Sequence, residues 1–134
     1  MFRILVVEDQ EDFYKDYLLR IFEKLLPMEK VNITHVPTLG AALAALLEPW
    51  NMVLMDYTLG SKVEFLGDTV RDGADLVRFR RAVEAENALS PAYILGTSGN
   101  DVANRLLMGV GANDACLKLN VEDMAATVSH RMVL

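Results

Sequence analysis

FRILVVED, residues 2–9, runs through six residues of which only Arg3 is polar and then closes on two acids. A strand with one wet face would alternate apolar and polar side chains. This nearly unbroken β-branched and aliphatic run instead fits a strand covered on both faces, the setting of a parallel sheet. The acids at its carboxyl end gain weight from that placement, because ligands of open parallel sheets collect beyond the carboxyl ends of the strands.

The next segment, QEDFYKDYLLRIFEKLLP, spaces Phe13, Tyr17, Ile21 and Leu25 at steps of four, with Leu18 and Phe22 widening the stripe. An amphipathic helix is expected there until Pro27. The alternation then repeats. VNITHV (31–36) is a second strand, and TLGAALAALLE (38–48) a helix with Thr38 as N-cap and Pro49 as its stop. MVLM (52–55) is a third strand that ends at Asp56. Leu76, Phe79 and Val83 place a helix over 74–87. YILG (93–96) is a fourth strand, VANRLLMGVGA (102–112) a helix closed by Gly111, ACL (115–117) a short fifth strand, and residues from 121 onward a last helix. Strands alternating with helices imply an α/β architecture, a parallel sheet joined by right-handed crossovers with helices on both faces.

At 134 residues and 52% hydrophobic content the chain is expected to form a single domain, 1–134. A formal net charge of −6 with no block of Lys or Arg leaves no electrostatic footprint for nucleic acid or for an anionic membrane, so a cation or other proteins are the expected partners. No apolar run approaches membrane-spanning length, and acids arrive too early for a signal peptide; a cytoplasmic protein is expected. The lone Cys116 reads as a buried thiol and the methionines as core filler.

The strand-end rule gathers Glu8 and Asp9, Asp56, Thr97 and Ser98, and Lys118 around one crevice. Carboxylates brought together repel one another and call for a cation, and an all-oxygen ligand set suits Mg2+. Two well-separated histidines, His35 and His130, make no histidine metal site. A hard cation, a carboxylate, a hydroxyl and an amine are the parts that phosphoryl transfer to an aspartate requires: charge stabilisation, a nucleophile and alignment.

The ordered set ILVVED, VLMD, ILGTS and GANDACLK resembles the receiver domain of two-component response regulators over essentially the whole chain. The resemblance implies a doubly wound (βα)5 flavodoxin-like sandwich with a five-stranded sheet in order 2-1-3-4-5. It implies that Glu8 and Asp9 hold magnesium with Asp56 and the backbone carbonyl of Thr58, and that Asp56 accepts a phosphoryl group from a histidine kinase or phosphotransfer protein. Lys118 would contact that group, as would the hydroxyl of Thr97, with Ser98 in reserve. The chain would then be no enzyme beyond its own phosphorylation and dephosphorylation. Since the elements occupy the sequence, output is expected to pass by docking to a downstream protein or a second receiver copy rather than through an attached effector.

Four features depart from that pattern. Ala115 stands where an aromatic residue is usual, Leu119 where a proline follows the lysine, and Gly60 where a proline follows Leu59. The fourth is an enlarged loop after Asp56, for which residues 59–70 are expected to form an ordered flap or docking surface beside the acid pocket, anchored by Phe65 and Leu66. Two rival readings follow from the same residues. One is a pseudo-receiver that binds partners without being phosphorylated. The other is a haloacid-dehalogenase-type phosphatase, which DYT at 56–58 faintly resembles but which needs a second aspartate where Thr58 stands.

Overall fold

The computed structural model describes residues 1–134. Five parallel strands, β1 (Phe2–Val7), β2 (Val31–Val36), β3 (Met52–Met55), β6 (Tyr93–Gly96) and β7 (Asp114–Ala115), form one sheet in the order β2-β1-β3-β6-β7. That is the 2-1-3-4-5 order expected for a doubly wound sandwich. Its two faces carry separate cores. Ile4 and Val6 of β1, with Met52, Leu54 and Leu95, pack on Tyr14, Leu18, Phe22, Val121, Met124 and Val128. Leu5 and Val7, with Val53, Met55 and Ile94, pack on Leu39, Leu43, Leu76, Val77 and Leu107. Both parities of β1, β3 and β6 are thus buried, which is why FRILVV shows no alternation. Each fully buried aliphatic side chain contributes about 1.5–3 kcal/mol of transfer free energy.

On one face lie α1 (Glu11–Phe13) and α2 (Leu19–Leu25), made continuous by a π-helical segment at Tyr14–Leu18, together with α6 (Val121–Met132). On the other lie α3 (Leu39–Ala45), α4 (Gly73–Asn87) and α5 (Asp101–Gly109). Thr38 caps α3 as expected, its Oγ1 accepting from Ala41 N at 3.1 Å. Asp72 caps α4 through Asp75 N. The cap of α5 is Asn100, whose Oδ1 accepts from Val102 N and Ala103 N, and Asp101 is the first helical residue. The last strand is shorter than expected and begins one residue earlier. Its pairing carries on as single backbone bonds, Cys116 N to Gly96 O and Lys118 N to Ser98 O. Every peptide bond is trans, including the one before Leu119. No helix is long and apolar enough to cross a membrane.

The enlarged loop is an antiparallel hairpin of β4 (Val63–Phe65) and β5 (Asp68–Val70). Leu66 and Gly67 form its tip with positive φ of 50° and 85°, the handedness that suits a two-residue hairpin turn. Its anchor differs from the expectation. Phe65 stacks edge-to-face on Phe79 of α4 at 5.5 Å, and Val63 and Val70 join the core, while Leu66 is 86% exposed. The apolar contacts draw the hairpin onto α4, away from the acid crevice.

A hairpin of three residues per strand is marginal alone, so its order rests on this docking. Phe65→Ala, which deletes an aromatic pair worth about 0.5–1.5 kcal/mol beyond its buried area, is expected to abolish hydrogen-exchange protection of the β4–β5 amides while the sheet amides keep theirs. Unchanged protection at the hairpin would refute that dependence.

Candidate functional site

The strand register builds the site. Val7 pairs with Met55, Met55 with Gly96, and Gly96 with Ala115. One residue further along each strand stand Glu8, Asp56, Thr97 and Cys116. Since Val7 and Met55 face the α3–α5 side, these next residues turn to the opposite side of the sheet. Lys118, two beyond Cys116, joins them. Glu8, Asp56 and Thr97 are buried to 3%, 5% and 5% exposure, below an open rim that includes Asp9, Gln10, Thr58, Ser98, Gly99 and Asn100.

The polar contacts are short and converge on Lys118. Its Nζ donates to Glu8 Oε2 at 2.9 Å, to Gln10 Oε1 at 2.9 Å and to Asp56 Oδ2 at 3.3 Å, and it lies 4.9 Å from the centre of the Phe13 ring. The other Asp56 oxygen, Oδ1, accepts from Tyr57 N at 2.7 Å, and Glu8 Oε2 also accepts from Gln10 N. Carboxylate oxygens of Glu8, Asp9 and Asp56 lie within 4.8 Å of one another. Burial pushes the Glu8 carboxyl up to about 7, with the nearby Asp56 charge adding to it and Lys118 and the Gln10 N–H opposing. Burial also raises Asp56, against the pull of Lys118 and the Tyr57 N–H. Burial acts to lower Lys118, but its hydrogen bond to Glu8 and the charges of Asp56 and Glu8 outweigh that and raise it. Three acids face one ammonium, and the donors are all oxygen. The set therefore fits a hard divalent cation.

Of the two strand-end hydroxyls, Thr97 stands at the strand position next to Asp56 and is buried, while Ser98 lines the crevice and has its Oγ accepting from Asn100 N at 3.2 Å. None of residues 59–70 lines this crevice, so the segment is ordered as expected but is placed on α4 rather than beside the acid pocket. Cys116 is half-buried, and burial pushes its thiol up to about 11, in keeping with an inert core group.

Two contributors were invisible in the sequence. Gln10 reads as a solvated helix start, and only the fold brings its carbonyl to Lys118. Gly73 has an indirect precursor in RDGADL, which resembles a family entry to the third helix. Its N–H donates to Tyr57 O at 2.8 Å, and a Cβ there would overlap the Asp56 carbonyl oxygen and lie 3.0 Å from its carbonyl carbon. The start of α4 is thus seated on the backbone of Asp56.

No protein-family model matches the chain, and no curated protein matches it. Solved structures do. A two-component response regulator from Clostridium difficile is similar with a TM-score of 0.73 at 17% identity, over 98% of this chain and 96% of that one. The receiver domain of a sensor histidine kinase from Pseudomonas aeruginosa, solved with a magnesium ion coordinated in the active site cleft, gives 0.69 at 20% identity over 98% of both chains. A response regulator from Burkholderia pseudomallei, solved with a phosphorylated aspartic acid, a calcium ion and citrate, gives 0.67 at 20% identity over 98% of this chain and 73% of that one. At such identities likeness speaks for architecture, and the architecture is plain: over nearly its whole length this chain has the fold of response regulator receiver domains.

Proposed function

We propose that the chain is a phosphorelay receiver that takes a phosphoryl group onto Asp56 from a histidine kinase or phosphotransfer protein. The observation that carries this reading is the convergence of Glu8, Asp9 and Asp56 within 4.8 Å, with the Lys118 ammonium 3.3 Å from Asp56 Oδ2, at the carboxyl edge of the sheet. An Asp56 carboxylate oxygen forms a bond to phosphorus as the donor's P–N bond breaks, and the imidazole leaves. Tyr57 N–H fixes the carboxylate plane. Lys118 stands where it can follow the phosphoryl oxygens, and the Thr97 hydroxyl donates to one of them.

Glu8, Asp9, Asp56 and the Thr58 carbonyl would hold Mg2+, which when bound supplies positive charge that the acid cluster lacks and the incoming oxygens need. The chemistry is confined to the protein's own aspartate, in keeping with a signalling module rather than an enzyme acting on other molecules. Output then passes by a shift between two conformations that a downstream protein or second copy binds unequally. A histidine kinase as donor implies work in the cytoplasm.

Incubation with magnesium and acetyl phosphate, followed by intact mass measurement, is expected to show one added phosphoryl group. The addition should vanish in Asp56→Asn and on chelation of the metal. A wild-type chain that gains no mass from acetyl phosphate or any phosphohistidine donor would sink this reading in favour of a binding module.

A further inference from the structure

Asn104 lies in the middle of α5, 6% exposed, and makes three hydrogen bonds, all to strand-end backbone. Its Oδ1 accepts from Ser98 N at 2.9 Å, and its Nδ2 donates to Ser98 O at 3.0 Å and to Cys116 O at 3.1 Å. The partners dictate the orientation of the amide, since an N–H needs the oxygen and two carbonyls need the NH2. Both Nδ2 protons are used. A buried side chain so fully engaged holds Ser98 through both its N–H and its C=O, the two peptide groups that flank it, and ties them to the end of β7.

The surroundings leave little slack. A Cβ on Gly96 would lie 3.3 Å from Asn104 Oδ1 and 3.4 Å from the Ala115 Cβ, and Asn104 and Ala115 line one shallow pocket. Ser98 O also accepts from Lys118 N at 3.2 Å. Asn104 therefore grips the amide that joins Thr97 to Ser98 by its N–H, and the next amide, whose carbonyl also accepts from Lys118 N, by its oxygen.

We infer that Asn104 is a positioning residue for phosphoryl transfer, acting through the backbone of Ser98 to set the Thr97 hydroxyl. Movement of Thr97 toward a phosphoryl oxygen shifts the Ser98 N–H, and with it the Asn104 amide and α5. Small Ala115 leaves this polar clamp as the link between the site and that helix. The inference rests on the phosphoacceptor reading.

Autophosphorylation with acetyl phosphate tests both. Asn104→Ala should lower kcat roughly tenfold at unchanged KM, a partial loss of an oriented donor, and should have no further effect in a Thr97→Ala background. Effects that multiply in the double variant overturn the inference while leaving Asp56 as acceptor. A wild-type chain that gains no phosphate overturns the acceptor reading and the inference with it. Because Asn104→Ala leaves Ser98 N–H and Cys116 C=O without the Asn104 partner and risks misfolding, the wild type supplies a second measurement. On phosphorylation its Asn104 side-chain NH2 and Ser98 amide resonances should shift together, and they should stay in place in Asp56→Asn. Asn104 resonances that do not move in fully phosphorylated protein also overturn the inference.

Discussion

Glu84→Gln is expected to lower the unfolding free energy at neutral pH by about 3–5 kcal/mol, the usual cost of stranding one member of a buried ion pair. The stranded member is Arg80, whose side chain is fully buried. Its Nε donates to Glu84 Oε2 at 2.9 Å and its Nη1 to the carbonyls of Leu46 and Glu48, while Nη2 is buried with no partner. Those carbonyls belong to the turn that ends α3, so the guanidinium closes the end of one helix from the side of another. Glu84 also accepts from Ala92 N at 2.8 Å, just ahead of β6, and from Arg81. Glutamine keeps the shape and the bond to Ala92 but removes the charge.

The effect carries a pH signature. Burial acts to raise Glu84, but the Ala92 N–H and the two guanidiniums outweigh it, so the folded-state value lies below the usual 4.5. A carboxyl lowered in this way stabilises the fold above its unfolded pKa, and that contribution drains as pH falls through the folded value. The gap between wild type and Glu84→Gln in urea denaturation should be full at neutral pH and narrow below about 4.5. Adding Arg80→Met to Glu84→Gln should recover part of the loss, since no unpaired buried charge remains. A gap that is small at neutral pH, or independent of pH, would contradict the account.

The second large effect belongs to Gly73→Ala. Glycine to alanine in a helix ordinarily stabilises by up to about 1 kcal/mol. Here the added methyl would overlap the Asp56 carbonyl, so either the start of α4 or the backbone of Asp56 must shift. A loss of about 3 kcal/mol, the upper part of the ordinary overpacking range, is expected. Displacement of Asp56 should also slow phosphorylation by roughly a hundredfold, the scale of a 1 Å misplacement. Denaturation midpoints and the acetyl phosphate rate, measured on one sample, read both. A variant as stable and as fast as wild type would show that α4 yields without moving Asp56.

The parts legible in the sequence share a physical basis: repetition. The strand runs of FRILVV and MVLM, the stripe of Phe13, Tyr17 and Ile21, and the Thr38 cap are local patterns, and the acids and Lys118 follow once strands have ends. What stayed hidden depends on tertiary placement. Arg80, within RFRR, reads as one more surface charge, and Asn104 as the polar face of a short helix. The hairpin was masked because its turn is Leu66-Gly67, without the asparagine or aspartate that usually announces such a tip. The π-helical segment at Tyr14–Leu18 has no marking residue.

The row formed by Glu8, Asp56 and Thr97 bears on how the chain can change in length. All three depend on the same odd-or-even position in their strands, so gaining or losing one residue inside β1, β3 or β6 would turn a functional side chain to the wrong side of the sheet. Additions that leave this parity intact fall outside the strands, as they do after the site residues and before the next helix. The β4–β5 hairpin sits in that interval, between Thr58 and the Asp72 cap. A site built on strand ends thus divides its own sequence into stretches where counting is rigid and stretches where it is free.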